Sequence, residues 1–166
     1  MIKRLSSPRR LLFCGLCLLL TLLWLGFIFG NSLKDGADSS EQSRQVHEIV
    51  NDLLASLGLR ISITEAALRK AAHFTEFFVL ALLLCLDTVA FGAVTPRTSA
   101  RRAWIPLCAI PACLLCALTD ELLQTLSVGR AAQLSDVLLD TSGAALGALL
   151  FLGALLLLRK ILTAKE

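Results

Sequence analysis

The chain has 166 residues, 56% of them hydrophobic, with a mean hydropathy of +0.75 and a formal net charge of only +3. So apolar a composition excludes an ordinary soluble domain, and so small a net charge gives no nucleic-acid-binding signature. Residues 1–166 read as one integral membrane domain.

Lys3, Arg4, Arg9 and Arg10 precede an apolar run from Leu11 to Gly30, about 20 residues and so long enough to cross a roughly 30 Å hydrocarbon core as a helix. The run is too long for a cleaved signal and no small-x-small site follows it, so it reads as an uncleaved signal anchor. Arg9-Arg10 resembles a twin-arginine signal only weakly, and positive-inside anchoring explains the pair.

Residues 31–65 are polar, with Asp38-Ser39-Ser40-Glu41 as a capping box. Val46, Ile49, Val50, Leu53, Leu54 and Leu57 then recur at helical spacing, while Glu41, Arg44, Glu48 and Asp52 charge the other face. The pattern is an amphipathic helix ended by Gly58, lying on the membrane surface or lidding the bundle. His47, beside Glu48, reads as a solvated position on it.

Ser62-Ile63-Thr64-Glu65 is a second capping box, opening a span over 66–92. Residues 93–103 form a basic loop with Pro96, Arg97, Arg101 and Arg102. A third span covers 104–126, with Pro106 in its first turn and Pro111 at a kink. A loop with Gly129 and Arg130 leads to a fourth span over 136–158, closed by Arg159, Lys160 and Lys165.

The predicted fold is therefore an all-α integral membrane protein, a four-transmembrane-helix bundle with an external amphipathic helix between spans one and two. Ten of the sixteen lysines and arginines fall on the side of the termini, so both termini are assigned to the cytoplasm of a multi-pass cell-membrane protein. Cys14, Cys17, Cys85, Cys108, Cys113 and Cys116 all lie in apolar runs and read as small buried hydrophobes, not as metal or redox motifs.

Charge enters the start of the second span, where Arg69, His73 and Glu76 stand at i, i+4 and i+7 with Lys70 alongside. Intramembrane charges need partners. The four-span topology sets at the same depth Asp120, Glu121 and Gln124 at the end of span three, and Asp136 and Asp140 at the start of span four. Asp136 and Asp140 continue along one helical stripe into Gly143 and Gly147, a small-residue seam suited to packing within the chain or to a homo-oligomer.

The resulting candidate site is a polar pocket at the outer leaflet. Arg69, Lys70 and Arg130 suit phosphate or carboxylate oxygens, and the carboxylates either orient those bases or bind a cation. An ion-paired cluster that only registers the helices is the plainer reading of the same residues.

At these positions the sequence resembles the VanZ-like family of small bacterial membrane proteins. The matching residues are Lys70, His73-Phe74, Glu76-Phe77, Asp120-Glu121-x-x-Gln124, Gly129-Arg130, Asp136, and Gly143 with Gly147, spread over about residues 25–155. Phe77, Val128 and Asp140 depart from the Tyr, Pro and Asn usual there. The resemblance implies a cell-envelope role, with a founding member associated with teicoplanin resistance.

Three functions fit this pattern. The first is binding of an anionic lipid or peptidoglycan precursor among the membrane lipids, with no cofactor. The second is a membrane-embedded hydrolase or transferase for a lipid-linked phosphate or peptide, with His73 and Glu76 as acid-base pair and Glu121 and Asp136 holding a divalent cation. A transporter ranks last, because Asp87 is the one charge on the inner halves of the spans, and it is expected against the basic loop.

Overall fold

The long apolar runs do form helices, and the computed structural model describes residues 8–92 and 100–164, with only the backbone of Ala100 and Arg101. In chain order they are α1 (Pro8–Ser32), α2 (Gly36–Ser56), α3 (Glu65–Ala90), α4 (Ala109–Gln124, preceded by a 3-10 segment Ala100–Cys108) and α5 (Leu134–Thr163). Four stretches are long and apolar enough to cross a membrane: Pro8–Ser32, Glu65–Ala90, Arg102–Gln124 and Leu134–Thr163. Among the described residues the fold is all-helical, a four-span bundle with α2 inserted between spans one and two. Lys3, Arg4, Pro96, Arg97, Lys165 and the side chain of Arg101 lie outside the described residues.

The interior is built from small residues, three larger aliphatics and one aromatic among the described residues. Phe77, Leu80 and Ala81 of α3 meet Cys113 and Ala117 of α4, Ala144 and Ala148 of α5, and Ile28 of α1. Leu12, Leu23, Leu115 and Leu149 point outward. Lipid tails solvate leucine as well as a protein core does, so the helices associate through close backbone packing instead. The tightest approach of a glycine to backbone joins α5 to α3: a Cβ on Gly143 would stand 2.3 Å from the Phe74 carbonyl oxygen, and one on Gly147 2.6 Å from that of Phe78. The Gly143–Gly147 seam thus packs within the chain, against α3, and both glycines are buried there.

Helix starts differ from the capping boxes read in the sequence. α2 begins at Gly36, two residues before the expected Asp38, and its N-cap Asp35 makes no side-chain cap bond. The Asp35 carboxylate accepts instead from the Val128 amide (3.3 Å), while the Gly36 amide donates to the Val128 carbonyl (2.9 Å). This clamp ties the α1–α2 turn to the α4–α5 loop, and Gly36 fits because a Cβ would lie 3.1 Å from the Gly129 carbonyl oxygen. α3 is capped by Thr64, not Ser62: its hydroxyl accepts from the Ala67 amide at 3.2 Å.

The third span is divided. Pro106 lies inside the 3-10 segment and Pro111 in the first turn of α4, where its missing N–H costs no helical bond. The Cys85 thiol donates to the Pro106 carbonyl at 3.3 Å, fixing that segment against α3. Cys14, Cys17, Cys85 and Cys113 are buried as expected, whereas Cys108 is exposed and Cys116 half-buried, and all six are free thiols. Asp87 accepts from the Thr21 hydroxyl (2.8 Å), a partner on α1.

Candidate polar site at one end of the bundle

α2 is amphipathic along its length as well as around its circumference. One face carries Ser39, Gln42 and Ser43 in its first half, then Val46, Val50, Leu54 and Leu57 in its second. The polar half, with Val46, lines a cavity of about 140 Å³ closed by Asn31 and Ser32 from the end of α1, by Lys34 from the turn after it, and by Leu68, Arg69, His73, Glu76 and Arg130. The apolar half leaves Val50 and Leu54 half-buried and Ile49, Leu53 and Leu57 exposed. Asn51 holds this half down, accepting from the Ile63 amide (2.9 Å) and donating to its carbonyl (3.2 Å). α2 therefore covers the site while presenting apolar side chains outward. Three of its exposed charges satisfy each other: Arg44 bridges Glu41 (2.8 Å) and Glu48 (3.0 Å), and the Arg44 hydrogen bond holds the Glu41 carboxyl below its ordinary range.

Two further cavities adjoin the first. One of about 500 Å³ lies between the start of α2 and the α4–α5 loop, bounded by Ser40, Arg69, Gln124, Arg130 and Gln133. Another of about 210 Å³ lies between α3 and α5, bounded by Arg69, Lys70, His73, Gln133 and Asp136. Arg69 lines all three. Its side chain and that of Lys70 are exposed, and neither makes a hydrogen bond or ion pair among the described residues.

Arg130 is differently placed. Its guanidinium donates to the carbonyls of Asn31 (3.1 Å) and Ser32 (3.3 Å), meeting the negative end of the α1 dipole, and the Ser127 hydroxyl donates to the Ser32 carbonyl at 3.0 Å. Burial first, then the like charge of Arg69, pulls the Arg130 pKa below its ordinary value.

Beneath the cations lie the acids. Asp120 and Asp140 are 0% exposed, and Glu121 and Gln124 are buried beside Asp120 on α4. The Asp120 carboxylate accepts from the Ser32 hydroxyl on one oxygen and from the Gln124 amide on the other (3.0 Å). Asp140 faces His73, with Nδ1 and Oδ1 3.9 Å apart. Glu76 accepts from Asn31 at 3.4 Å, while its own backbone carbonyl accepts from the Trp24 indole at 2.9 Å.

All ten residues singled out in the sequence thus stand at this one end, but in different roles. Glu121 and Asp136, the expected cation-ligand pair, each already have a hydrogen-bond partner. Glu121 spends one oxygen on the Gln133 amide (2.6 Å), and Gln133 is the N-cap of α5 with no side-chain cap of its own. A carboxylate there stabilises the helix N-terminus electrostatically, which gives Glu121 a structural duty. Asp136 is half-buried and accepts from Ser135 (3.1 Å). The three-ligand cluster among the described residues is His73, Asp120 and Asp140.

Sequence reasoning missed Asn31, Ser32, Lys34 and Gln133. The first three close an apolar run in a way that reads as ordinary span termination, and Gln133 contributes through its backbone.

Fold and site together define a multi-pass helical membrane protein whose polar residues gather at one end of the bundle. The VanZ/LLP1 family model matches residues 17–159 of the 166, and the chain belongs to that family. No curated protein and no solved structure matches it.

Proposed function

We propose that this VanZ-family protein binds an anionic amphiphile, a phospholipid or a lipid-linked cell-wall precursor, at the outer leaflet of the cell membrane. The observation that carries the reading is Arg69, an unpartnered guanidinium at the junction of three cavities. An anionic headgroup between Arg69 and Arg130 would relieve the repulsion between them and accept bidentate hydrogen bonds. The face of α2 matches the rest of such a molecule, with hydroxyls and an amide beside the headgroup and Val46, Val50 and Leu54 running on for an acyl chain. The outward direction rests on the ten lysines and arginines at the opposite, terminal side. A contribution to teicoplanin resistance, implied by the family resemblance, would follow if the bound molecule were a precursor that the antibiotic targets.

Native mass spectrometry of protein extracted in mild detergent and exchanged into phosphatidylglycerol-containing nanodiscs tests this. The wild type is expected to retain about one phosphatidylglycerol and Arg69→Gln at least tenfold less. Equal retention by both would overturn the reading.

A hydrolase or transferase acting on a lipid-linked phosphate or peptide is the second reading. One observation favours it: His73 borders two of the cavities and also faces the buried carboxylates, within reach of a bound headgroup.

A further inference from the structure

We propose that His73, Asp120 and Asp140 form a binding site for one divalent transition-metal ion of the zinc or manganese class. α3, α4 and α5 each contribute one residue, and one ligand atom from each lies within 4.8 Å of the others. Ligands about 2.1 Å from a common ion stand about 3–3.5 Å apart in tetrahedral or cis geometry, so a pair at the 4.8 Å limit closes by roughly 1.5 Å on binding.

Acidic clusters are common, and this one is distinguished by unmet bonding capacity. Asp140 is 0% exposed, yet neither of its carboxylate oxygens has a hydrogen-bond partner, and the facing His73 Nδ1 has none. A carboxylate taken wholly out of water needs a cation or a proton. Arg130 donates to the α1 carbonyls and Arg69 and Lys70 are exposed, which leaves His73, at 3.9 Å, as the basic side chain facing Asp140, and it makes no hydrogen bond to it. Two carboxylates and a neutral imidazole carry a charge of about −2, which one divalent ion balances.

The outer support is already in place. The Ser32 hydroxyl and the Gln124 amide hold the Asp120 carboxylate from opposite sides, as partners of metal-ligating carboxylates do. One imidazole with two carboxylates favours zinc, manganese or iron(II) over magnesium or calcium, which prefer all-oxygen sets. Three protein ligands leave a coordination position open toward the cavities that His73 borders. The site does not depend on the amphiphile-binding reading, and its ligands exclude Arg69.

The test is elemental analysis of untagged protein purified in mild detergent, followed by titration of chelator-treated protein with Zn²⁺ and Mn²⁺ while thermal unfolding is recorded. The wild type is expected to hold about one ion per chain and to unfold at a higher temperature when either metal is added. Asp140→Asn and His73→Gln should each lower metal content at least tenfold and abolish the metal-dependent shift, whereas Asp87→Asn, at the other end of the bundle, should keep both. Asp140→Asn should also raise the unfolding temperature of the metal-free protein, because a neutral amide replaces the buried acid. Metal-free wild type with no response to either ion would overturn the site and assign Asp140 a proton instead. So would variants that bind as the wild type does.

Discussion

Gly143 is the point at which helix packing and the polar site are most directly coupled. A methyl group there would sit 2.3 Å from the Phe74 carbonyl oxygen, 3.1 Å from its carbon and 3.3 Å from its Cα. Every one of those atoms is backbone, so no rotamer can turn away, and α5 must retreat from α3 by about 1 Å to restore ordinary contact. Overpacking of this kind costs about 2 kcal/mol, roughly a thirtyfold change in the ratio of folded to unfolded protein. Gly143 stands three residues after Asp140, and Phe74 follows His73 directly, so the retreat also widens the 3.9 Å gap between His73 and Asp140. Gly143→Ala is therefore expected to lower the midpoint of thermal unfolding in detergent by several degrees. Gly153→Ala is the control, because its Cβ would meet nothing within 4 Å. If Gly143→Ala unfolded together with Gly153→Ala, α5 would not lie against α3 as described.

Glu121 separates capping from ligation. Glu121→Ala leaves the Gln133 amide at the α5 N-terminus without its acceptor and should cost about 1.5–3 kcal/mol in denaturant or thermal melts. Glu121→Gln keeps an oxygen there and should cost less than half as much; equal losses would mean that the hydrogen bond contributes nothing. Orientation is testable by cysteine accessibility in intact cells: with the polar end outward, a membrane-impermeant maleimide should label Arg60→Cys and spare Ala164→Cys. Labelling in the reverse order would turn the molecule over.

The spans were legible because membrane helices announce themselves by length: each needs about 20 apolar residues whatever its neighbours do. The convergence of Arg69, His73, Asp120 and Asp140 was legible from topology, since the ends of consecutive antiparallel spans return to one depth. Helix caps are less legible. Asp38 and Ser62 satisfy the local pattern, but Asp35 is drawn to the Val128 amide and Thr64 takes the cap of α3, choices made by tertiary contacts and backbone direction. The proposed site draws on residues that a sequence singles out less readily. Glu121 and Asp136 lie at helix ends, where acids commonly occur, whereas Asp140 lies a turn further in and is distinguished only by what fails to touch it. The contribution of α1 could not be seen at all: Ser32 gains meaning only from Asp120, 88 positions later.

That last separation bears on how the molecule is assembled. The carbonyls that end α1 are met by Ser127 and Arg130, and these residues leave the ribosome almost a hundred positions after the groups they satisfy. During synthesis the first span must wait in the bilayer with its rim hydrated by headgroups and water. Only when the final hairpin enters can the rim be sealed, so completion of the fold and closure of the polar end become a single late event.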